Sequence, residues 1–262
     1  MLIDVHAHLT DASYGGRGDE LAARTNLVEP RVIIDTGSDI DNSEECFRRA
    51  ERCENIYCAV GVHPEFADKY DEQTEKRLRE MAKGDKTVAI GETGLDYHFE
   101  NNPPRDAQKA AFEAQIRLAD ACGLPVVVHV RDAHGDAVEV LKRNKAYLGH
   151  GLLIHCYSGS KELFKEYDKL DAYYSFGGAV TFKNAKDKPD VLRACRLDRL
   201  LLETDCPYMA PEPFRGRQNL PEYIAHTADK VAGILGVERA KLEEITTANA
   251  MRLFGRIHRD RV

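Results

Sequence analysis

Eight short apolar runs, spaced along the chain and separated by longer amphipathic stretches, constrain this sequence more than any other feature. They fall at residues 2–5, 32–36, 56–62, 88–91, 126–130, 152–156, 173–176 and 200–203. Several are rich in valine and isoleucine and apolar on both faces, the pattern of strands covered on both sides of a parallel sheet. Helical patterns lie between them at residues 43–54, 71–83, 105–122, 132–144, 160–170, 187–195 and 221–235, with a last one at 239–254. Asp41 and Asn42 offer an N-cap to the first, and Gly84 and Gly123 offer stops to the next two. Parallel neighbours need a crossover helix, so this alternation predicts an α/β fold with a parallel sheet. Eight units close naturally into a (β/α)8 TIM barrel. An open doubly wound sheet is the alternative, and the count of eight favours the barrel. The 262 residues suit one such barrel. No linker interrupts them, so residues 1–262 are expected to form a single domain. Proline-rich residues 207–213 read as an active-site loop.

Composition narrows the function. No apolar run is long enough to cross a bilayer, and the first residues lack a basic n-region, so no membrane span or export signal is expected. Seven cysteines, an odd number without a C-x-x-C pair, fit reduced thiols in the cytoplasm. A net charge of −7 weighs against a nucleic-acid coating protein, while leaving room for an enzyme with a local cationic centre. No obligate protein partner is legible.

The polar residues that break the apolar pattern collect at the strand ends, where barrels keep their chemistry. His6 and His8 stand two apart at the end of the first run, so alternation projects them to one face, with Asp4 on that face one step deeper. His63 follows the third run, Glu92 and Asp96 the fourth, His129 the fifth, His155 the sixth and Asp205 the eighth. Random buried strands rarely end in such groups. The set can be assembled into a site for two divalent ions: His6, His8 and Asp205 for one, His129 and His155 for the other, with Glu92 bridging. Imidazole and carboxylate donors suit Zn, Mn, Fe or Co, and Mg where carboxylate and water dominate. Such a pair activates a water and clamps a phosphoryl group, with Asp205 as general base.

The chain resembles the TatD family of metal-dependent hydrolases, one of the amidohydrolase-like barrels. The matching segments are Asp4-Val5-His6-Ala7-His8-Leu9, Gly61-Val62-His63-Pro64, Ile90-Gly91-Glu92-Thr93-Gly94-Leu95-Asp96-Tyr97 and His155-Cys156-Tyr157-Ser158-Gly159. Leu202-Glu203-Thr204-Asp205-Cys206-Pro207-Tyr208 with Arg215-Gly216-Arg217, and Thr247-Ala248-Asn249-Ala250-Met251-Arg252-Leu253-Phe254, complete the set in family order. The resemblance implies His6, His8, Glu92, His129, His155 and Asp205 as metal ligands, with Asp205 and Glu92 catalytic. It also implies a magnesium-dependent deoxyribonuclease, in some members acting from a 3′ end. Related barrels often carry a carboxylated lysine at the fourth strand; Glu92 stands there in this chain. Glu65 follows Pro64 where a histidine is usual, and Cys206 stands where alanine or serine is common.

Other residues take lesser roles. His63, Arg131 and Arg215 are candidates to hold phosphate. Asp4 and Glu203, two residues before a ligand, are expected to orient the ligand imidazoles. Cys156 and Cys206 read as packing residues, His98, His134, His150, His226 and His258 as exposed and inert, and the basic tail at 252–261 as a solvated face. The leading expectation is a 3′–5′ exonuclease on single-stranded or frayed DNA, bound weakly and mainly through the metals (Mg, Mn or Zn). Its rivals are a hydrolase of small amides, lactones or phosphotriesters on the same barrel, and a non-catalytic metal-binding or partner-binding barrel. No aromatic platform for single strands is legible.

Overall fold

A computed structural model describes residues 1–257. Its strands are β1 Ile3–Ala7, β2 Val32–Thr36, β3 Ile56–Val60, β4 Thr87–Asp96, β5 Val126–Arg131, β6 Leu152–Ile154, β7 Tyr173–Phe176 and β8 Leu200–Leu202. All neighbours pair in parallel, in the order β1 to β8. Two backbone bonds then join the last strand end to the first: the Asp205 amide donates to His6 O at 2.9 Å, and the His8 amide to Cys206 O at 2.8 Å. The sheet is a barrel, as eight alternating units require, and the open alternative is set aside.

The helices are α1 Gly18–Ala23, α2 Ile40–Arg52, α3 Glu72–Met81, α4 Arg105–Cys122, α5 His134–Arg143, α6 Phe164–Tyr167, α7 Lys188–Ala194, α8 Ile224–Leu235 and α9 Arg239–Leu253. α4 has its expected bounds, and Gly123 closes it in the left-handed conformation at φ 67°. α2 begins three residues before its expected start. Asp39, not Asp41 or Asn42, accepts the Asn42 amide as its N-cap, because Ile40 can turn inward inside the first turn. The helix expected at 160–170 is a single α-turn between two 3-10 turns.

Two apolar layers follow from strand alternation. One takes a residue or two from every strand, such as Ile3, Val5, Ile34, Tyr57, Val127, Leu153, Tyr173 and Leu201, and adds only Ala250, Leu253, Phe254 and Ile257 from the end of the chain. This is the barrel interior with its floor. The other joins the opposite strand faces to the helices, through Ile33, Val60, Val128, Cys46, Leu78, Phe112 and Val231. Arg256 is bound to the floor, donating to Ala82 O, Gly84 O and Thr87 O at 2.7–3.0 Å, rather than lying on a solvated face. His258, Arg259 and Arg261 of the expected tail lie outside the described residues.

The first strand departs from strict alternation. Its register against β2 runs Asp4↔Ile33 and then Ala7↔Asp35, an extra residue on β1. Ile3 and Val5 line the interior, so Asp4 faces outward. The bulge then returns His6 and His8 to the inner face at the mouth, where they meet. Asp4 is therefore not below the histidines.

Candidate metal centre

The carboxyl ends of β1, β4, β5, β6 and β8 bring six donor side chains into one pit. His6 Nε2 and His8 Nε2 are 3.2 Å apart. Asp205 Oδ1 lies 3.9 Å from the first and 3.4 Å from the second. Asp205 follows β8 with φ 54°, a left-handed conformation that aspartate adopts more readily than most residues, and this turns its carboxylate inward. Across the pit, His129 Nδ1 and His155 Nε2 are 3.2 Å apart. Glu92 stands between the pairs. Its Oε2 is 3.5 and 3.6 Å from His6 and His8, and its Oε1 is 2.8 and 2.7 Å from His129 and His155. Gly94 permits this approach: at φ 139°, a Cβ there would meet His129 O at 2.0 Å.

The surroundings hold these groups in place. His8 Nδ1 is 3.0 Å from Thr36 O. Asp35 takes the Leu9 amide at 2.9 Å and the buried Arg49 guanidinium at 2.5 Å, which fixes the chain just beyond His8. His129 Nε2 is 3.1 Å from Asp96 Oδ2. Glu203 Oε2 accepts the Ser175 hydroxyl at 2.6 Å and sits 3.7 Å from His155 Nδ1. Glu203 thus lies beside the His155 ring, with its hydrogen bond going to Ser175 and none to that ring. Nor does Asp4 orient a ring: its Oδ1 accepts the Thr204 amide at 2.9 Å and the His6 amide at 3.3 Å, and its Oδ2 pairs with the Thr204 hydroxyl at 2.5 Å. It staples the seam between β1 and β8 instead of steering a ring.

The electrostatics are those of a cation site. Burial would raise the Glu92 carboxyl, yet His155, His63 and His6 around it hold it well below the usual carboxylate range. Burial works against charge on His8, but Asp205 and Glu92 push it up to about 9. Burial likewise opposes charge on His155, and Glu92 and Glu203 lift it well above the ordinary value. Imidazole ligands bind a metal only when deprotonated, so metal binding at His8 and His155 is coupled to proton release. Among the described residues four groups have donor atoms all within 4.8 Å of one another: His6–His8–Asp205, Glu92–His129–His155, His6–His155–Glu203 and His63–Asp96–His129. Pairs of imidazole nitrogens this close, next to carboxylates and shielded from water, fit divalent cations of borderline or hard character.

A family model described as TatD related DNase matches residues 3–255. The chain belongs to the TatD family. Relatives in it span the chain from end to end. The uncharacterized metal-dependent hydrolase YabD of Bacillus subtilis is 40% identical over 254 residues, covering 97% of this chain and 99% of its own. A Cronobacter sakazakii protein named 3'-5' ssDNA/RNA exonuclease TatD is 34% identical over 259 residues, with 97% of each chain covered. The crystal structure of YjjV, a TatD homologue from Escherichia coli, superposes with a TM-score of 0.90 at 27% identity, over 97% of this chain and 98% of that one. The protein is thus a TatD-type metal-dependent hydrolase.

Seen in this TatD barrel, the other sequence candidates separate. His63 joins the pit, with Nε2 3.7 Å from Glu92 Oε1. Arg131 and Arg215 stay on the rim and contact rings rather than the donor set. The Arg131 guanidinium lies 5.0 Å from the Phe99 centroid, and that of Arg215 4.3 Å from the Phe182 centroid. His98 and His134 are not inert: His98 pairs with Asp132 at 2.8 Å, and His134 Nδ1 is 2.9 Å from the Tyr167 hydroxyl. Sequence reasoning missed Tyr208 and Phe99, exposed by 52% and 43% at the mouth, with the Tyr208 ring 5.9 Å from His8. The sequence signal for Tyr208 was its place three residues after the expected ligand Asp205; Phe99, seven residues after Glu92, carried none. Among the described residues no helix is long and apolar enough to cross a membrane.

Proposed function

We propose that the protein is a divalent-metal phosphodiesterase that removes nucleotides from the 3′ end of single-stranded or frayed DNA. The observation that carries this reading is Glu92, which offers one oxygen toward His6 and His8, the histidines of the trio completed by Asp205, and the other toward the His129–His155 pair. His6, His8 and Asp205 would hold one ion, and His129 and His155 the second, with Glu92 shared; Mg, Mn and Zn all suit the donors. When bound, such a pair supplies Lewis-acid polarisation of a phosphoryl oxygen and acidifies water. The exonuclease named among the relatives supports the substrate class.

The remaining roles fall to this chain's own side chains. Burial would raise the Asp205 carboxyl, but its contact with His8 and the nearby His155 hold it below the usual range, so it stays an acceptor for a water proton. His63 is a donor. The Glu65 amide donates to its Nδ1 at 3.2 Å, which leaves the proton of the neutral ring on Nε2, facing the pit. Burial keeps this ring neutral by lowering it to about 3, so it meets a phosphoryl oxygen as N–H rather than as a cation. Arg131 and Arg215 then meet phosphates outside the pit. Seven free cysteines support a reducing compartment, the cytoplasm. Residues 1–262 act as one domain, and no protein partner enters the reading.

The test is degradation of end-labelled single-stranded and duplex DNA with Mg, Mn or Zn. Metal-dependent release of mononucleotides from the 3′ end of the single strand is expected. Turnover of lactones or amides, with every nucleic acid left intact, overturns the reading.

A further inference from the structure

The protein carries a net charge of −7, yet two loops at the mouth run the other way. Residues 177–188 hold Lys183, Lys186 and Lys188 against one acid, Asp187, and residues 207–220 hold Arg215 and Arg217 against one acid, Glu212. Lys183, Lys186, Arg215 and Arg217 are exposed. Among the described residues none of the five cations makes an ion pair with a carboxylate, whereas Arg77, Arg199 and Arg239 each do. A paired cation is nearly silent a few ångströms away; these are not.

The two loops form one surface. Gly178 lies so close to the second loop that a Cβ on it would meet Met209 O at 2.0 Å. The Glu212 amide donates to Thr181 Oγ1 at 2.8 Å. Arg215 reaches across to Asn184 Oδ1 at 3.2 Å, between Lys183 and Lys186 in the chain, with its guanidinium over Phe182. The second loop leaves the barrel at Asp205, so the ridge starts at the wall of the pit. Tyr208 stands at that start with an exposed ring beside His8 and its hydroxyl 2.6 Å from Asp11. Cations spaced along a ridge that begins at an aromatic face are the elements of single-strand binding. Their reach is short, since exposed charges are screened within about 10 Å at 0.1 M salt, so they act on a chain lying against them.

We propose that the loops after β7 and β8 form a track for the phosphate backbone of a single strand whose end occupies the pit, with Tyr208 stacked on the base nearest the metal centre. The proposal rests on the nuclease reading and adds to it the path of the strand outside the pit. The track recognises phosphates, so DNA and RNA lie on it alike. A dinucleotide has a single phosphodiester, which the pit takes up, so it draws least on the track.

The experiment compares the metal-loaded wild type with Lys183→Glu/Lys186→Glu and with Lys183→Arg/Lys186→Arg. KM and kcat are read on a dinucleotide and on long DNA and RNA single strands across a salt series. The charge-reversed protein should lose roughly tenfold in kcat/KM on the long strands through KM, with a smaller loss on the dinucleotide. The slope of log KM against log salt should flatten by about 0.7 for each phosphate contact removed. The arginine variant should behave as wild type, which separates lost charge from a damaged fold. Anisotropy of a labelled strand with each protein in EDTA should give the same ranking without turnover. Tyr208→Ala should weaken binding to long and short strands alike and leave the salt slope alone. An unchanged salt slope and KM in the charge-reversed protein overturn the track and leave the nuclease standing. Failure of the wild type to cleave any strand overturns the nuclease reading itself, and the track with it.

Discussion

The Asp205 amide donates to the His6 carbonyl at 2.9 Å, so one bond both closes the barrel and joins two members of the donor set. The seam between β8 and β1 is therefore part of the site. The adjoining His8 amide to Cys206 carbonyl bond and the Asp4 carboxylate on the Thr204 amide tie the same seam on its inner and outer sides. A barrel that opened here would pull His6 and His8 from Asp205. Fold closure and metal binding are then expected to stabilise each other.

Asp205→Asn tests the proton acceptor. The amide keeps the shape and one donor oxygen but cannot take a proton from water. Turnover of a labelled single strand should fall by roughly two orders of magnitude or more, the scale of a lost general base. The circular dichroism spectrum should not change. Turnover at wild-type level with saturating metal would remove Asp205 from the mechanism.

Metal removal and Glu92→Gln test the sharing of one carboxylate by the His6–His8–Asp205 trio and the His129–His155 pair. EDTA should abolish activity, and Mg or Mn should restore it. Elemental analysis of the loaded wild type should give two ions per chain, and Glu92→Gln should hold fewer with lower affinity, because an amide is a poor bridge between cations. Full occupancy of both sites in Glu92→Gln would disprove the bridging role.

How much of this was readable beforehand divides along physical lines. The eight strands were legible as short apolar runs, several rich in Val and Ile, alternating with helical patterns. β4 was read as four residues and has ten, Thr87–Asp96, because Glu92, Thr93 and Asp96 are polar and Gly91 and Gly94 mimic a turn. The six donors were legible because each interrupts an apolar run at its carboxyl end. Asp4 was misplaced because a one-residue bulge in β1 leaves no mark on composition and reverses the face of every residue on one side of it. Tyr208, Phe99 and the cationic ridge were out of reach, since they depend on which loops lean together and not on periodicity.

Asp4 gives a stability test with a defined pH direction. Burial pushes its carboxyl up to about 8, so the fold favours the protonated form even though the Thr204 hydroxyl, the Thr204 amide and the His6 amide all donate to it and pull the other way. Its stabilisation is fully present below the unfolded pKa, near 4, and is lost as pH rises through about 8. Urea melts of the metal-free wild type should show this decline. Asp4→Asn, which keeps a donor and an acceptor, should stay within about 1 kcal/mol of wild type at acid pH, lose the pH slope, and so gain on wild type as pH rises. Asp4→Ala should cost about 2–4 kcal/mol at acid pH, since it leaves buried amides unpaired, and that cost should shrink as pH rises. Equal slopes in wild type and Asp4→Asn would show that Asp4 is ionised in the fold.

The shape of the site predicts where a strand is cut. The donors lie in a pit: His6, His155 and Glu92 are almost wholly buried, and Asp205 is only 8% exposed. Tyr208, Phe99, Arg131 and the loops after β7 and β8 stand around the mouth. A phosphodiester in the middle of a strand would have to push two chain segments into that space together, whereas a terminal one brings a single segment. A duplex end must first fray, which costs stacking and pairing free energy. Linear single strands should therefore be shortened stepwise from one end, with blunt duplexes slower and closed circular single strands resistant. Gel analysis of a circular strand and its linearised form, incubated side by side with Mg, makes the comparison at constant sequence and length. Cleavage of the circle as fast as the linear strand would mean that the pit admits an internal phosphodiester, and the enzyme would then be an endonuclease on the same metal centre.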